Sequence, residues 1–111
     1  MRALIFRPGA SAELEEVDGF EGIRATVGGC VERIQLETDV FLYLDEDGLA
    51  RRLKPNLWAE GPLYRGAPVV GVAVLVHEHG LPDGESRFRD VTESHVERYR
   101  RLRRLKERLG K

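Results

Sequence analysis

The 111-residue sequence predicts an α+β fold: a single small domain whose mostly antiparallel sheet of four to five strands is packed by a short helix and a long C-terminal helix. Three observations lead there. The length and the 41% apolar content allow one core and exclude a second domain or a large cofactor domain. Short apolar runs rich in Val and Leu are separated by Gly, Pro and Asp clusters. The chain then finishes on a narrow apolar stripe at helical spacing, set among arginines.

Residues 2–6 read as the first strand, closed by Pro8-Gly9. Residues 10–19 form an acidic connector, with Glu13, Glu15, Glu16 and Asp18 around Leu14 and Val17, that either extends the strand or faces water. Phe20, Ile23 and Val27 fall at spacings of three and four and predict a short helix over 20–27. Gly28-Gly29 stops it, because a glycine just past a helix can take the left-handed conformation that satisfies the last carbonyls. Residues 30–36 and 40–44 read as a hairpin across Glu37-Thr38-Asp39, and Asp45-Glu46-Asp47-Gly48 is a turn. Cys30, at the mouth of that hairpin, is expected to be a small buried hydrophobe.

The stretch 49–66 is less regular and reads as a packed loop with one helical turn at 56–60, its apolar side chains arguing against a disordered linker. Trp58 and Tyr64 suit sealing a core better than stacking on a base. Residues 69–76 form the clearest strand, apolar on both faces and so central, with His77-Glu78-His79-Gly80 as its polar exit. Leu81-Pro82-Asp83-Gly84 is a turn, and 85–89 can pair back as a short edge strand. From Thr92, a good N-cap, the stripe Val96, Tyr99, Leu102, Leu105 and Leu109 predicts a helix that Gly110 ends.

The net charge of −1 conceals a division. Residues 1–95 carry ten basic and seventeen acidic side chains, and residues 96–111 carry eight and two, so an acidic body of net −7 precedes a tail of net +6. The expected organisation is an acidic α+β body over 1–95 and a basic amphipathic helix over 92–111, both in one domain. Arg100, Arg101, Arg103, Arg104 and Arg108 are the candidate contacts to phosphate or carboxylate, which arginine binds through two parallel hydrogen bonds. The same helix can instead be neutralised by Glu13–Glu21 and Asp45–Asp47, dock an acidic protein, or pair with a second copy through Leu102, Leu105 and Leu109. Its stripe lacks Trp and Phe anchors, which argues against a membrane surface. There is no apolar run near 18 residues, the opening apolar run is too short for a signal peptide, and one cysteine makes no internal disulfide, so the cytoplasm is the expected location.

No catalytic, cofactor-binding or metal-ligating residue is assigned. His77 and His79 share one side of a strand and His95 can join them as ligands, but no HExxH or paired CxxC spacing is present, and exposed polar histidines are the simpler account. The acidic turn Asp45–Asp47 lacks the alternating oxygen ligands of a calcium loop, and no Lys-Ser/Thr pair follows Gly28-Gly29 as a phosphate loop requires.

The order of short motifs is more informative. The strand ending in Arg7-Pro8-Gly9, then Val27-Gly28-Gly29-Cys30-Val31-Glu32, Glu46–Gly48, Leu53 with Pro55-Asn56, and Val69–Val74 resembles DUF3846, a family of small proteins of unknown function encoded by bacteria and phages. The resemblance covers about residues 1–95. Cys30 stands where the family usually has an aromatic residue, and Lys54 separates Leu53 from Pro55. The resemblance implies a fold order and supplies no catalytic residues. The expected function is that of a small accessory or regulatory protein acting by non-enzymatic binding to a protein or nucleic-acid partner. Two alternatives stay open: an acidic nucleic-acid mimic that inhibits a nucleic-acid-binding enzyme, and a small enzyme with a site near His77, His79 and Asn56.

Overall fold

Two strongly apolar strands sit side by side at the centre of the sheet. Strand β4 (Val40–Asp45) is buried at every position, and β7 (Ala73–Gly80) runs antiparallel to it. A strand covered on both faces has no need of polar alternation, which explains the continuous runs VFLYL and AVLV. The structure, a computed structural model, describes residues 1–80 and 86–102. On one side of this pair lies β3 (Val31–Glu37); on the other lie β1 (Arg2–Phe6) and then the acidic edge strand β2 (Glu13–Glu16). Strand β8 (Ser86–Arg89) pairs with the second half of β7 on the side that β1 occupies. All neighbours are antiparallel.

Alternation across the sheet produces two cores. Ala3, Ile5, Phe41, Tyr43, Val74 and Val76 meet Ile23 and Val27 of helix α1 (Gly19–Val27) on one face. Leu4, Phe6, Leu42, Leu44 and Leu75 meet the opposite layer. That layer holds the hairpin of β5 (Pro55–Gly61) and β6 (Tyr64–Val70) together with helix α2 (Glu93–Tyr99). Among the described residues the result is one α+β domain of mostly antiparallel sheet and two short helices, with six strands in the main sheet and two in the hairpin.

Four expectations change. Residues 55–70 are a hairpin where a packed loop with a helical turn at 56–60 was expected. Leu57 and Ala59 are buried while Glu60 is exposed, a two-residue alternation that Pro, Gly and bulges interrupt in sequence. The run 69–76 is two strands. Gly71 takes φ +76° and its N–H bonds the Lys54 carbonyl at 2.8 Å, so the chain turns between β6 and β7. Both halves are apolar because each enters a sheet that faces the core. Residues 77–80 continue β7 and are paired with β8, where a polar exit was expected. The long C-terminal helix is not supported: α2 has seven residues and ends at Tyr99. Leu102 N–H bonds the Tyr99 carbonyl three residues back at 3.1 Å, and Leu102 lies against the same core as Val96. The stripe's spacing of three fits such a tight turn better than an extended 3.6-residue helix. Residues 103–111, including Leu105, Leu109 and Gly110, and the turn Leu81–Gly84 lie outside the described residues.

Candidate functional site

Helix α2 is built onto the sheet by its first turn. Thr92 Oγ1 accepts the His95 N–H, and His95 Nδ1 accepts the Thr92 N–H, both at 3.1 Å, a reciprocal cap with histidine in the place usual for Glu or Gln. The lead-in is tied to β1, since Val91 N–H bonds the Arg2 carbonyl at 2.9 Å and Arg2 N–H bonds Asp90 Oδ1 at 2.6 Å. Tyr99 then turns into the core, and its hydroxyl donates to Glu37 at the end of β3. Arg98 pairs with the same carboxylate. Burial works to raise the Glu37 pKa, but the Tyr99 hydroxyl and the Arg98 guanidinium outweigh it and hold the group below the usual carboxylate range. Burial, and then the Glu37 charge, push the Tyr99 phenol up.

The arginines that follow behave differently. Arg100 and Arg101 are exposed and form no ion pair among the described residues. Arg101 lines a cleft of about 700 Å³ with Arg65, Arg98 and Tyr64, and a second of about 520 Å³ with Arg100 and Arg2. Arg103, Arg104 and Arg108 lie outside the described residues. Among the described residues, four of the eight carboxylates in the acidic segments expected to neutralise the basic tail have a partner within the body. Glu15 pairs with Arg7, Glu16 with the N-terminal amine at 3.4 Å, Glu21 with Arg24 at 3.7 Å, and Asp45 with Arg51.

His77 and His95 come together, and His79 and Asn56 do not join them. His77 Nδ1 lies 3.1 Å from the Asp90 carbonyl oxygen, and its Nε2 lies 3.0 Å from Asp39 Oδ2. His95 stands edge-on to it, with ring centroids 4.8 Å apart. His79 is exposed on β7 and does not join them. Asn56 is buried and donates to the carbonyls of Phe6 and Gly71, at 2.8 and 2.7 Å. Gly71 is six residues from His77, about 20 Å along an extended chain. The clefts beside residues 100–102 include neither His77 nor His79, and Asn56 lines one of them with Phe6 and Ala10.

Sequence reasoning missed Glu78. It is 1% exposed, receives the Tyr43 hydroxyl at 2.6 Å and the Arg33 guanidinium at 2.5 Å, and Arg33 in turn lies 4.4 Å over the Phe41 ring. Burial and the neighbouring carboxylate push the Tyr43 phenol up. The signal was parity: Val74, Val76 and Glu78 share the face that carries α1. Cys30 is a correction in the other direction. It is exposed, one residue before β3, and only its carbonyl is engaged, by Glu46 N–H at 2.9 Å.

Residues 1–104 match the family described as a domain of unknown function, DUF3846. The chain belongs to that family. No curated protein and no solved structure matches it. In this DUF3846 chain the motif residues serve the scaffold. Asn56 joins β5 to the ends of β1 and β6. Gly29 leaves room for the Asp45–Arg51 pair, whose atoms lie 2.9 and 3.1 Å from where a Cβ would stand. Arg7 pairs with β2, and its carbonyl closes the turn with Ala10 N–H at 3.1 Å. No helix among the described residues is long and apolar enough to cross a membrane.

Proposed function

We propose that this DUF3846 protein is a small accessory or regulatory protein that binds a polyanionic partner, nucleic acid foremost, without catalysing a reaction. The observation that carries the reading is the state of Arg100 and Arg101: exposed, without an ion pair among the described residues, and set beside Arg2 and Arg65 in two clefts whose walls also hold Glu60, Glu93 and Glu97. Arg103, Arg104 and Arg108 follow directly in sequence and extend the basic segment. Guanidinium groups grouped in this way suit phosphate oxygens. The acidic-mimic reading is the alternative: it rests on the net −7 of residues 1–95, which the pairs of Glu15, Asp45 and Glu78 with arginines of the same segment leave unchanged. An enzyme near His77 and His79 is the weaker reading, because His79 stands apart from the His77–His95 pair and Asn56 is taken up by the Phe6 and Gly71 carbonyls.

Fluorescence anisotropy with mixed-sequence duplex and single-stranded oligonucleotides, at about 50 and 200 mM salt, tests the proposal. Affinity should fall as salt rises, and Arg100→Gln with Arg101→Gln should weaken binding without changing the thermal midpoint. No binding at the lower salt rejects nucleic acid as the partner; the same test with a polyglutamate probe then reads acidic protein.

A further inference from the structure

Three separate elements bring metal-ligating side chains to one point. Asp39 sits in the β3–β4 turn, held there because its carbonyl accepts the Glu78 N–H at 2.9 Å. His77 comes from β7 and His95 from the first turn of α2. One ligand atom from each lies within 4.8 Å of the other two.

The hydrogen-bond chemistry of His77 is the decisive feature. Its Nδ1 meets the Asp90 carbonyl oxygen, which only accepts, so Nδ1 carries the proton. In the neutral ring the lone pair is therefore on Nε2, and Nε2 faces the Asp39 carboxylate oxygen at 3.0 Å. Two acceptors that close repel unless a cation stands between them, and that cation is either a proton or a metal ion. A backbone carbonyl behind the far ring nitrogen is the contact that fixes the tautomer of metal-bound histidines.

We propose that Asp39, His77 and His95 form a binding site for a divalent transition metal of the zinc type, with water completing its coordination. Two imidazoles and one carboxylate suit zinc, cobalt or nickel better than magnesium or calcium, which prefer all-oxygen shells. Two donors at about 2.0–2.1 Å on one tetrahedral ion stand about 3.3 Å apart, near the Asp39–His77 separation, and His95 has to approach by about 1.5 Å. The three side chains are partly shielded: His95 is 9% exposed, and the side chains of His77 and Asp39 are 14% and 38% exposed.

His95 adds a signature. Its Nδ1 accepts the Thr92 N–H, so in the free protein its proton sits on Nε2. A metal on Nδ1 displaces that N–H directly; a metal on Nε2 drives the proton to Nδ1, which can then no longer accept. Either way metal binding releases the Thr92 N–H, while Thr92 Oγ1 keeps its bond to the His95 N–H.

The test is calorimetric titration of the full chain with Zn²⁺ at about pH 7.5, with Co²⁺ absorbance and amide NMR alongside. The expected result is saturable one-to-one binding that weakens at lower pH, with the Thr92 amide resonance shifting. His77→Gln and Asp39→Asn should each weaken binding about tenfold or more, and His79→Gln should leave it unchanged. Circular dichroism of each variant separates loss of ligand from loss of fold, and Asp39→Asn, in a turn, is the milder change. Absence of saturable binding up to about 1 mM Zn²⁺, or equal affinity in His77→Gln, overturns the proposal and leaves a proton as the bridging cation.

Discussion

Asn56 shows how much one side chain can hold. Its amide donates to two buried carbonyls from different parts of the chain, those of Phe6 and Gly71. Asn56→Ala leaves both without their donor and should cost about 2–4 kcal/mol, read as a lower urea midpoint with an unchanged slope. The Arg7–Glu15 pair is a milder case, since both side chains are more than a third exposed. The Arg7 hydrogen bond is the main reason Glu15 titrates below its ordinary value of 4.5. A depressed carboxylate pKa contributes stability above the ordinary value and loses it as pH falls through the folded one. The contribution is therefore small, present at neutral pH and gone in acid. Arg7→Gln should return the Glu15 midpoint, followed by carboxyl NMR, toward 4.5. Neither role is legible in the sequence. Polar residues at strand ends read alike whether they bind water, as Cys30 can, or close the core, as Glu78 does.

At the scale of elements, the hairpin and the helices show where periodicity succeeds and where it fails. Helix α1 and the β3–β4 hairpin follow their expected positions closely, because each is a local pattern bounded by its own turn residues. The β6–β7 junction does not, since its apolar run continues through a change of direction. Gly71 makes that change possible: a Cβ there would stand 2.7 Å from Leu53 Cδ1 at a φ of +76°. Gly71→Ala should destabilise by about 1–3 kcal/mol, measured by thermal or urea unfolding, because the strained backbone and the displaced leucine add. The end of α2 was equally hidden. Val96, Tyr99 and Leu102 continue a stripe by eye, while the Leu102 N–H has already turned to the Tyr99 carbonyl.

Over the whole molecule the charge division takes on a spatial meaning. Glu15, Glu16 and Asp45 pair with the body's own arginines and N-terminus, Arg98 pairs with Glu37, and the exposed pair Arg100–Arg101 follows. If both arginines contact phosphate, their replacement by glutamine should reduce the slope of log affinity against log salt by about two, since each contact neutralises one phosphate. A drop in affinity without a change in slope would point away from phosphate contacts. By itself the sequence determined the α+β class, the local elements, the charge division and the family resemblance. These depend on composition and on patterns within a few residues of one another. Only the tertiary structure decided that the motif residues brace the scaffold, that Glu78 is buried, and that Asp39 rather than His79 meets His77 and His95. Those outcomes depend on which strands become neighbours, and meetings such as that of Asp39 with His77 and His95, 38 and 56 positions along the chain, leave no periodic trace in it.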